Sequence, residues 1–507
     1  MRRFRASLAL FCVGLLGCAV APRILRAQLT GFHAVTGSGF RLIGDAPPQE
    51  LAALAAELEL FQRAFAQLAQ RPATIAGAPV PVYLLRDESL ARRFGLAGMV
   101  DGWMLSTLAG CFASVEVHPN HTQTRGTLFH EYTHVLLRRH RRAPLPPWYD
   151  EGLSTYFSTV SIRDGAVVVG SAPGQLITWI EKRGPLPLDR LFEGSVWQLD
   201  RREIGDFYAT GWALSHYLLA TPGGRRELAS FATQLERGTA WQLAYASAFD
   251  RPLERLGAQL EAHVAMLARG VAAEAMLDGT GMGAPRPPAP APLRTADVAY
   301  ELGYLALALR REGEDQSTGA LARKLLEISL AEDPSSGRTE AALAETEALR
   351  GDIAASLSRT DRALALAPDD PLVRLHVGRV ELARAEAAGK GGPAAESALH
   401  AAEDQYRRAL DLDPASAVAW AGLGQTWRRA GRRDEAIAAF QRARELGWSG
   451  QLDLELGGLY LELGRRDEAV ALLWPLAQDP HGGQASADAR AQLDRAGLLP
   501  DEPPAAP

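Results

Sequence analysis

The hexapeptide Gly-Arg-Arg-Asp-Glu-Ala occurs twice, at 431–436 and 464–469, and its 33-residue offset constrains the fold more than any other feature of the chain. A fixed period of that length points to one helix-turn-helix unit per repeat, and such a unit buries its apolar face only by stacking on a neighbour. The same residue pattern returns around both copies. Trp420, Leu423, Gly424 and Trp427 fall on one helix and Ala436, Phe440 and Ala443 on the next. The following unit supplies Leu456, Gly457 and Tyr460, then Ala469 and Leu473. Small residues such as Gly424 and Ala436 allow two helices to approach, while the large ones fill the gap between hairpins. Pro334 and Pro368 stand 34 apart, and Pro414 follows after one further period plus an insertion at 389–392. About five units fit between residues 296 and 498.

This pattern is similar to that of tetratricopeptide (TPR) proteins. The resemblance implies an all-α, right-handed superhelix whose concave face binds a protein partner.

The repeats occupy only part of 507 residues, a length that suggests roughly three domains. Residues 279–295, GTGMGAPRPPAPAPLRT, read as a semi-stiff Pro/Ala linker that holds neither helix nor strand. Ahead of it, residues 28–278 mix strand-like stretches (Phe40–Ile43, Val80–Leu85, Phe112–Val117, and a hairpin at Ser161–Val169) with long helical patterns, which makes this region α+β. Residues 499–507 read as a disordered tail. With 47% hydrophobic and 22% charged residues, and a net charge of −6, the chain is neither disordered overall nor built to bind nucleic acid. Its only lysines are Lys182, Lys324 and Lys390 against many arginines, the bias of a GC-rich bacterial genome.

The start, with Arg2, Arg3 and Arg5 followed by an apolar run from Ala6 to Val20, matches a secretory signal, assigned to residues 1–27. The expected location is therefore periplasmic or extracellular. Leu15-Leu16-Gly17-Cys18 resembles a lipobox, which gives the alternative of a lipoprotein anchored at Cys18. No later run is long enough to span a bilayer, so membrane association rests on this segment alone. Three cysteines, two of them in the signal, exclude a disulfide framework. Cys111 reads as a small buried residue.

His130-Glu131-Tyr132-Thr133-His134 is an HExxH motif in a helical stretch, Thr124 to Arg139. Two histidines four apart share a helix face, so both imidazoles reach one metal ion, and Glu131 lies beside it as a proton acceptor for an attacking water. A catalytic zinc takes three protein ligands and keeps one position open. The third ligand is expected in PPWYDEGLSTYF, residues 146–157. There Glu151 is favoured over its neighbour Asp150 because it heads the EGLSTYF helix, and only one of the two adjacent side chains can face the metal.

HEYTH followed by WYDEGLS resembles the gluzincin metallopeptidases, most closely the bacterial peptidase MA-like domains, over roughly Phe32 to Leu267. The resemblance implies zinc bound by His130, His134 and Glu151, with Glu131 as general base. Phe207-Tyr208-Ala209-Thr210-Gly211 is similar to the YxxG helix of aminopeptidase N type gluzincins, which implies that Tyr208 stabilises the oxyanion. Where those aminopeptidases carry GxMEN, this chain has Gly110-Cys111-Phe112-Ala113-Ser114, so amino-terminal trimming is not implied. That strand is instead expected to accept an extended peptide at a sheet edge. Thr155 stands where some gluzincins place an acidic residue that supports the site.

Other histidines read more plainly: His216 as a satisfied structural residue, and His118 and His121 as residues of a loop. Arg138 to Arg142 reads as a solvated helix end. The expected function is an exported zinc metallopeptidase, an endopeptidase or other amide hydrolase acting on a protein or peptide, with repeats that recruit a substrate or partner. The alternative is a non-catalytic TPR scaffold carrying an inactive gluzincin-like domain.

Overall fold

The computed structural model describes residues 22–70, 79–96, 101–139, 145–163, 166–193, 199, 201–237, 239, 241–270, 275–277, 289–310, 316–389, 391–447, 449–477 and 483–499. The signal segment through residue 21 with Cys12 and Cys18, linker residues 279–288, the arginine cluster beyond 139, and tail residues 500–507 lie outside them.

The N-terminal half begins α1 (Pro22–Gln28), β1 (His33–Thr36), β2 (Phe40–Gly44), α2 (Pro48–Ala69), β3 (Val80–Leu85), α3 (Glu88–Arg93), β4 (Gly102–Thr107) and β5 (Gly110–Glu116). It continues α4 (His121–Arg139), α5 (Pro147–Phe157), β6 (Ser161–Arg163), β7 (Ala166–Val169), α6 (Gly174–Arg183), α7 (Leu188–Glu193) and α8 (Arg201–Leu219). It closes with α9 (Pro222–Glu236), α10 (Trp241–Ala248), α11 (Leu253–Ala268), β8 (Ala275–Leu277) and β9 (Ala291–Pro292).

Six strands form one mixed sheet in the order β4-β5-β3-β2-β1-β9, with β2, β3 and β5 parallel and the others antiparallel to their neighbours. Successive side chains of a strand point to opposite faces, and here each face is buried. Phe40, Leu42, Val82, Leu84, Ala113 and Val115 pack with α2 and α4, whereas Ile43, Tyr83, Leu85 and Phe112 pack with the first helices of the C-terminal half. Burial on both faces explains why β3 reads as a nearly continuous apolar run. The hairpin expected at Ser161–Val169 is the antiparallel pair β6 and β7, to which β8 adds a third strand.

The C-terminal half is a stack of helical hairpins: α12 (Thr295–Ala308) with α13 (Gln316–Glu332), α14 (Gly337–Ala348) with α15 (Ile353–Leu366), and α16 (Pro371–Ala388) with α17 (Pro393–Leu412). Two more follow, α18 (Ala417–Arg429) with α19 (Arg433–Leu446) and α20 (Gly450–Glu462) with α21 (Arg466–Ala477), before a closing helix α22 (Gly483–Arg495). The period has a packing cause. A Cβ on Gly424 would lie 2.7 Å from the Phe440 ring, and one on Gly457 would lie 2.4 Å from Leu473, so each glycine admits the large residue of its partner helix. The repeated hexapeptide has one too, since Arg432 stacks over Trp427 and Arg465 over Tyr460.

Two boundaries differ from those expected. The Pro/Ala-rich segment does not insulate the halves: Ala291–Pro292 forms β9 against β1, Leu293 donates its N–H to the Phe32 carbonyl, and α12 and α13 then cover the sheet. Residues 22–27, assigned with the leader, form most of α1, where Leu25 is buried in the same core and Arg26 pairs with Glu332 on α13 at 2.5 Å. Apolar burial beside the repeats draws in a segment whose local composition suggested a linker. Among the described residues no helix is long and apolar enough to cross a membrane.

Candidate metal centre

α4 and α5 carry the motif residues, and each is fixed by its apolar side. On α4, Leu128, Phe129, Tyr132, Val135 and Leu136 are buried, and Phe129 stacks on Phe61 of α2 at 4.4 Å between ring centroids. That anchor turns His130 and His134 toward α5. α5 starts at Pro147, a favoured first helical position, and its Trp148 is fully buried between Phe192 and Phe231. Asp150 and Glu151 therefore lie inside the first turns of α5. Glu151 does not head the helix as the sequence suggested.

His130 Nε2 and His134 Nε2 stand 3.3 Å apart, and the Glu151 carboxylate oxygens lie 3.6 Å from His134 Nε2 and 3.7 Å from His130 Nε2. Ligand bonds of about 2.0–2.1 Å in a tetrahedral zinc site place donor atoms about 3.3 Å from one another. Two imidazoles and a carboxylate at this spacing fit zinc in both donor chemistry and separation. Glu151 is 1% exposed, whereas the His130 side chain is 24% exposed, so the cluster is closed behind and open on the His130 side.

Asp150 points to the other side of the same ring. Its Oδ1 lies 3.0 Å from His134 Nδ1, the Ser154 hydroxyl is 3.2 Å from that nitrogen, and Arg138 is 3.6 Å from Asp150 Oδ2. A carboxylate on Nδ1 fixes the tautomer whose Nε2 lone pair can bind a metal. Sequence reasoning treated Asp150 only as a competing ligand and Arg138 as solvated. Arg138 is 6% exposed, drawn inward by the Asp150 charge that the sequence did not place beside it. Asp150 and Ser154 are thus the two side chains that hold this ring nitrogen.

Two glycines set the surrounding backbone. A Cβ on Gly152 would stand 2.4 Å from the Gly211 carbonyl oxygen, so α5 and α8 cross there in backbone contact. A Cβ on Gly102 would stand 2.6 Å from Thr127 Cγ2 and 3.1 Å from Glu131 Cγ, so β4 lies directly against the Glu131 turn of α4. The strand expected to offer an edge, Gly110–Ser114, is β5, which pairs with both β3 and β4. The edge on that side is β4, a strand not read from the sequence.

Tyr208 lies on α8 three residues before Gly211 and packs its ring against Phe207. It is half-buried, whereas Trp212 and Leu218 on the same helix are fully buried. His216 is a structural residue, with Nε2 2.8 Å from the Gly170 carbonyl and Nδ1 2.9 Å from His263 Nε2. Burial, the dominant cause, pushes the His216 pKa below its ordinary value, and burial together with His216 pushes His263 down to about 4. His121 lies 3.1 Å from Glu57, and His118 lies with Asp101 and Glu116 in a separate cluster. Cys111 is half-buried, with its sulfur 4.0 Å from that of Met104.

No protein-family profile matches the chain, and no curated protein matches it. Among solved structures, it is similar to TTC0263, a thermophilic TPR protein of Thermus thermophilus, with 23% identity over 40% of this chain and 100% of the other and a TM-score of 0.34. Pseudomonas aeruginosa PilF matches at 18% identity over 41% of this chain and 93% of the other, with a TM-score of 0.28. MamA of Desulfovibrio magneticus matches at 17% identity over 39% and 96%, with a TM-score of 0.26.

Proposed function

We propose that the chain is a zinc-dependent hydrolase of peptide or other amide bonds, in which His130, His134 and Glu151 would hold the ion. The observation that carries this reading is the mutual 3.3–3.7 Å spacing of the two Nε2 atoms and the Glu151 carboxylate, with Asp150 on the far side of His134. Zinc bound there would supply Lewis-acid polarisation of a carbonyl and of water. Every other role belongs to the chain itself. Asp150 accepts the Nδ1 proton of His134 and orients the ring. Glu131, next along α4 and mostly shielded from solvent, takes the proton released as water attacks, then returns it to the leaving amine. Tyr208, half-buried on the helix that crosses α5, is the proposed donor to the oxyanion. The outer edge of β4 would take the substrate main chain as an added strand, which favours internal cleavage of an extended polypeptide.

The hairpin array would recruit a protein partner or the substrate itself, and the chain would act after export to the periplasm or cell exterior. The competing reading, a scaffold with an idle hydrolase fold, draws on the same array. Glu131→Gln separates them. Under the hydrolase reading, this variant of the full chain keeps its fold and its zinc but loses at least about 10²-fold of its cleavage of an unfolded test protein. Equal cleavage by the variant and the parent, or none by either against a broad peptide library, supports the scaffold.

A further inference from the structure

One face of the hairpin array, built from the first helix of each hairpin, meets the β4–β5 turn. A cavity of about 260 Å3 is lined by residues of α12, α14, α16, α18 and α20, among them Glu345, Arg379, Gln425 and Gln451, and the β4–β5 turn also borders it. The turn is gripped at two points far apart in sequence. The Leu108 N–H donates to Gln451 Oε1 on α20 at 2.8 Å, and the Tyr304 hydroxyl on α12 donates to the Ala109 carbonyl at 2.8 Å. Leu108 also packs against the apolar cluster of the last two hairpins. The seat is built on both sides. Tyr304 lies edge-on to Phe112 at 5.9 Å and carries the Arg379 guanidinium over its ring at 5.8 Å, while Arg379 also pairs with Glu345. On the turn itself, Thr107 Oγ1 accepts from the Ala109 N–H at 3.0 Å, and Gly110 takes a φ of +136° that favours glycine.

We infer that the groove of the array is a clamp whose occupant is the β4–β5 turn, and that its grip from α12 and α20 holds the edge strand β4 against the Glu131 turn of α4. The path is short and continuous: α20 and α12 hold Leu108 and Ala109, β4 runs from that turn back to Gly102, and Gly102 abuts Thr127 and Glu131. The first and fifth hairpins thus close on one two-residue turn. Release would free β4 at its end farthest from the metal site and loosen the wall on which a substrate strand would lie. The bearing of this clamp on hydrolysis rests on the function proposed above. Its existence does not.

The test is amide hydrogen exchange on the full chain in metal-free buffer, comparing the parent with Gln451→Ala, Tyr304→Phe and the double variant. Each lost hydrogen bond is expected to speed exchange of the Leu108 amide by about 2–10-fold, with the β4 amides that bond to β5 following in the double variant and the β1–β2 pair unchanged. Unchanged Leu108 protection in Gln451→Ala overturns the seat. Faster Leu108 exchange with unchanged β4 protection overturns the clamp. If the double variant melts early, Gln451→Glu keeps an acceptor for the Leu108 N–H, and failure of that variant to retain parental protection overturns the proposal as well. Zinc content is measured separately on the same proteins, so failure of the metal reading is distinguishable from failure of the clamp.

Discussion

Substituting Gly152 by alanine tests the packing that positions Glu151. The added Cβ would stand 2.4 Å from the Gly211 carbonyl oxygen, 2.7 Å from its carbon and 2.8 Å from Ser215 Oγ, where ordinary contact begins at 3.4 Å. Ser215 can rotate away, but the Gly211 carbonyl belongs to the α8 backbone, so the helices must separate by about 1 Å at the crossing. Overpacking of this kind costs about 1–3 kcal/mol, and a backbone obstacle places it at the upper end. The better helix propensity of alanine offsets about 1 kcal/mol. The net loss of about 2 kcal/mol corresponds to a fall in Tm of about 4–8 °C for a unit of this size. The same displacement moves Glu151, one residue away, well beyond the roughly 0.2 Å that ligand distances tolerate, so zinc affinity falls more than about tenfold. Thermal unfolding of the metal-free protein and a chelator competition measure the two effects separately. An alanine variant as stable as the parent, with the same zinc affinity, would refute the claim that this crossing sets the site.

Three further outcomes are expected. Asp150→Asn takes the carboxylate away from the His134 ring and weakens zinc by about 10–100-fold in chelator competition; an unchanged affinity would show that Asp150 does not orient the ring. Leu25→Ala, in a core shared by α1, the sheet and α13, costs about 2–5 kcal/mol by denaturant unfolding, whereas a leader helix would cost nothing. The His216–His263 pair makes stability depend on acid. His263 titrates at about 4 in the fold and near its ordinary 6.5 when unfolded, so the unfolded chain binds the proton first as pH falls. The pair's contribution is fully present above about pH 6.5 and is lost as pH falls toward 4, by an amount on the order of 3 kcal/mol. Unfolding curves between pH 4 and 7 should therefore be flatter for His263→Gln, and an identical slope would contradict this.

Much of the architecture is written in local pattern. The 33-residue period announces the hairpins because each needs the same close approach, Gly424 to Phe440 and Gly457 to Leu473. The strands β2, β3 and β5 announce themselves as β-branched and aromatic runs. The HExxH spacing and the Glu-Gly pair predict a cluster that the folded chain brings together, with Gly152 explaining why glycine follows Glu151. What stayed hidden was non-local. Nothing in GWMLST marks β4 as the edge strand, since its conformation follows from pairing with β5. The Pro/Ala-rich stretch suggested separation because its composition says nothing of the sheet face that α12 and α13 cover. Arg138 reads as a solvated cation until Asp150, twelve residues on, folds beside it.

Zinc content of the purified full chain, with Glu151→Ala and Glu131→Gln beside it, tests the central claim most directly. The account predicts one tightly held zinc per chain in the parent and in Glu131→Gln, and loss of that zinc in Glu151→Ala. A metal-replete preparation of the parent that holds no zinc, or a Glu151→Ala variant that holds it as tightly as the parent, would contradict it.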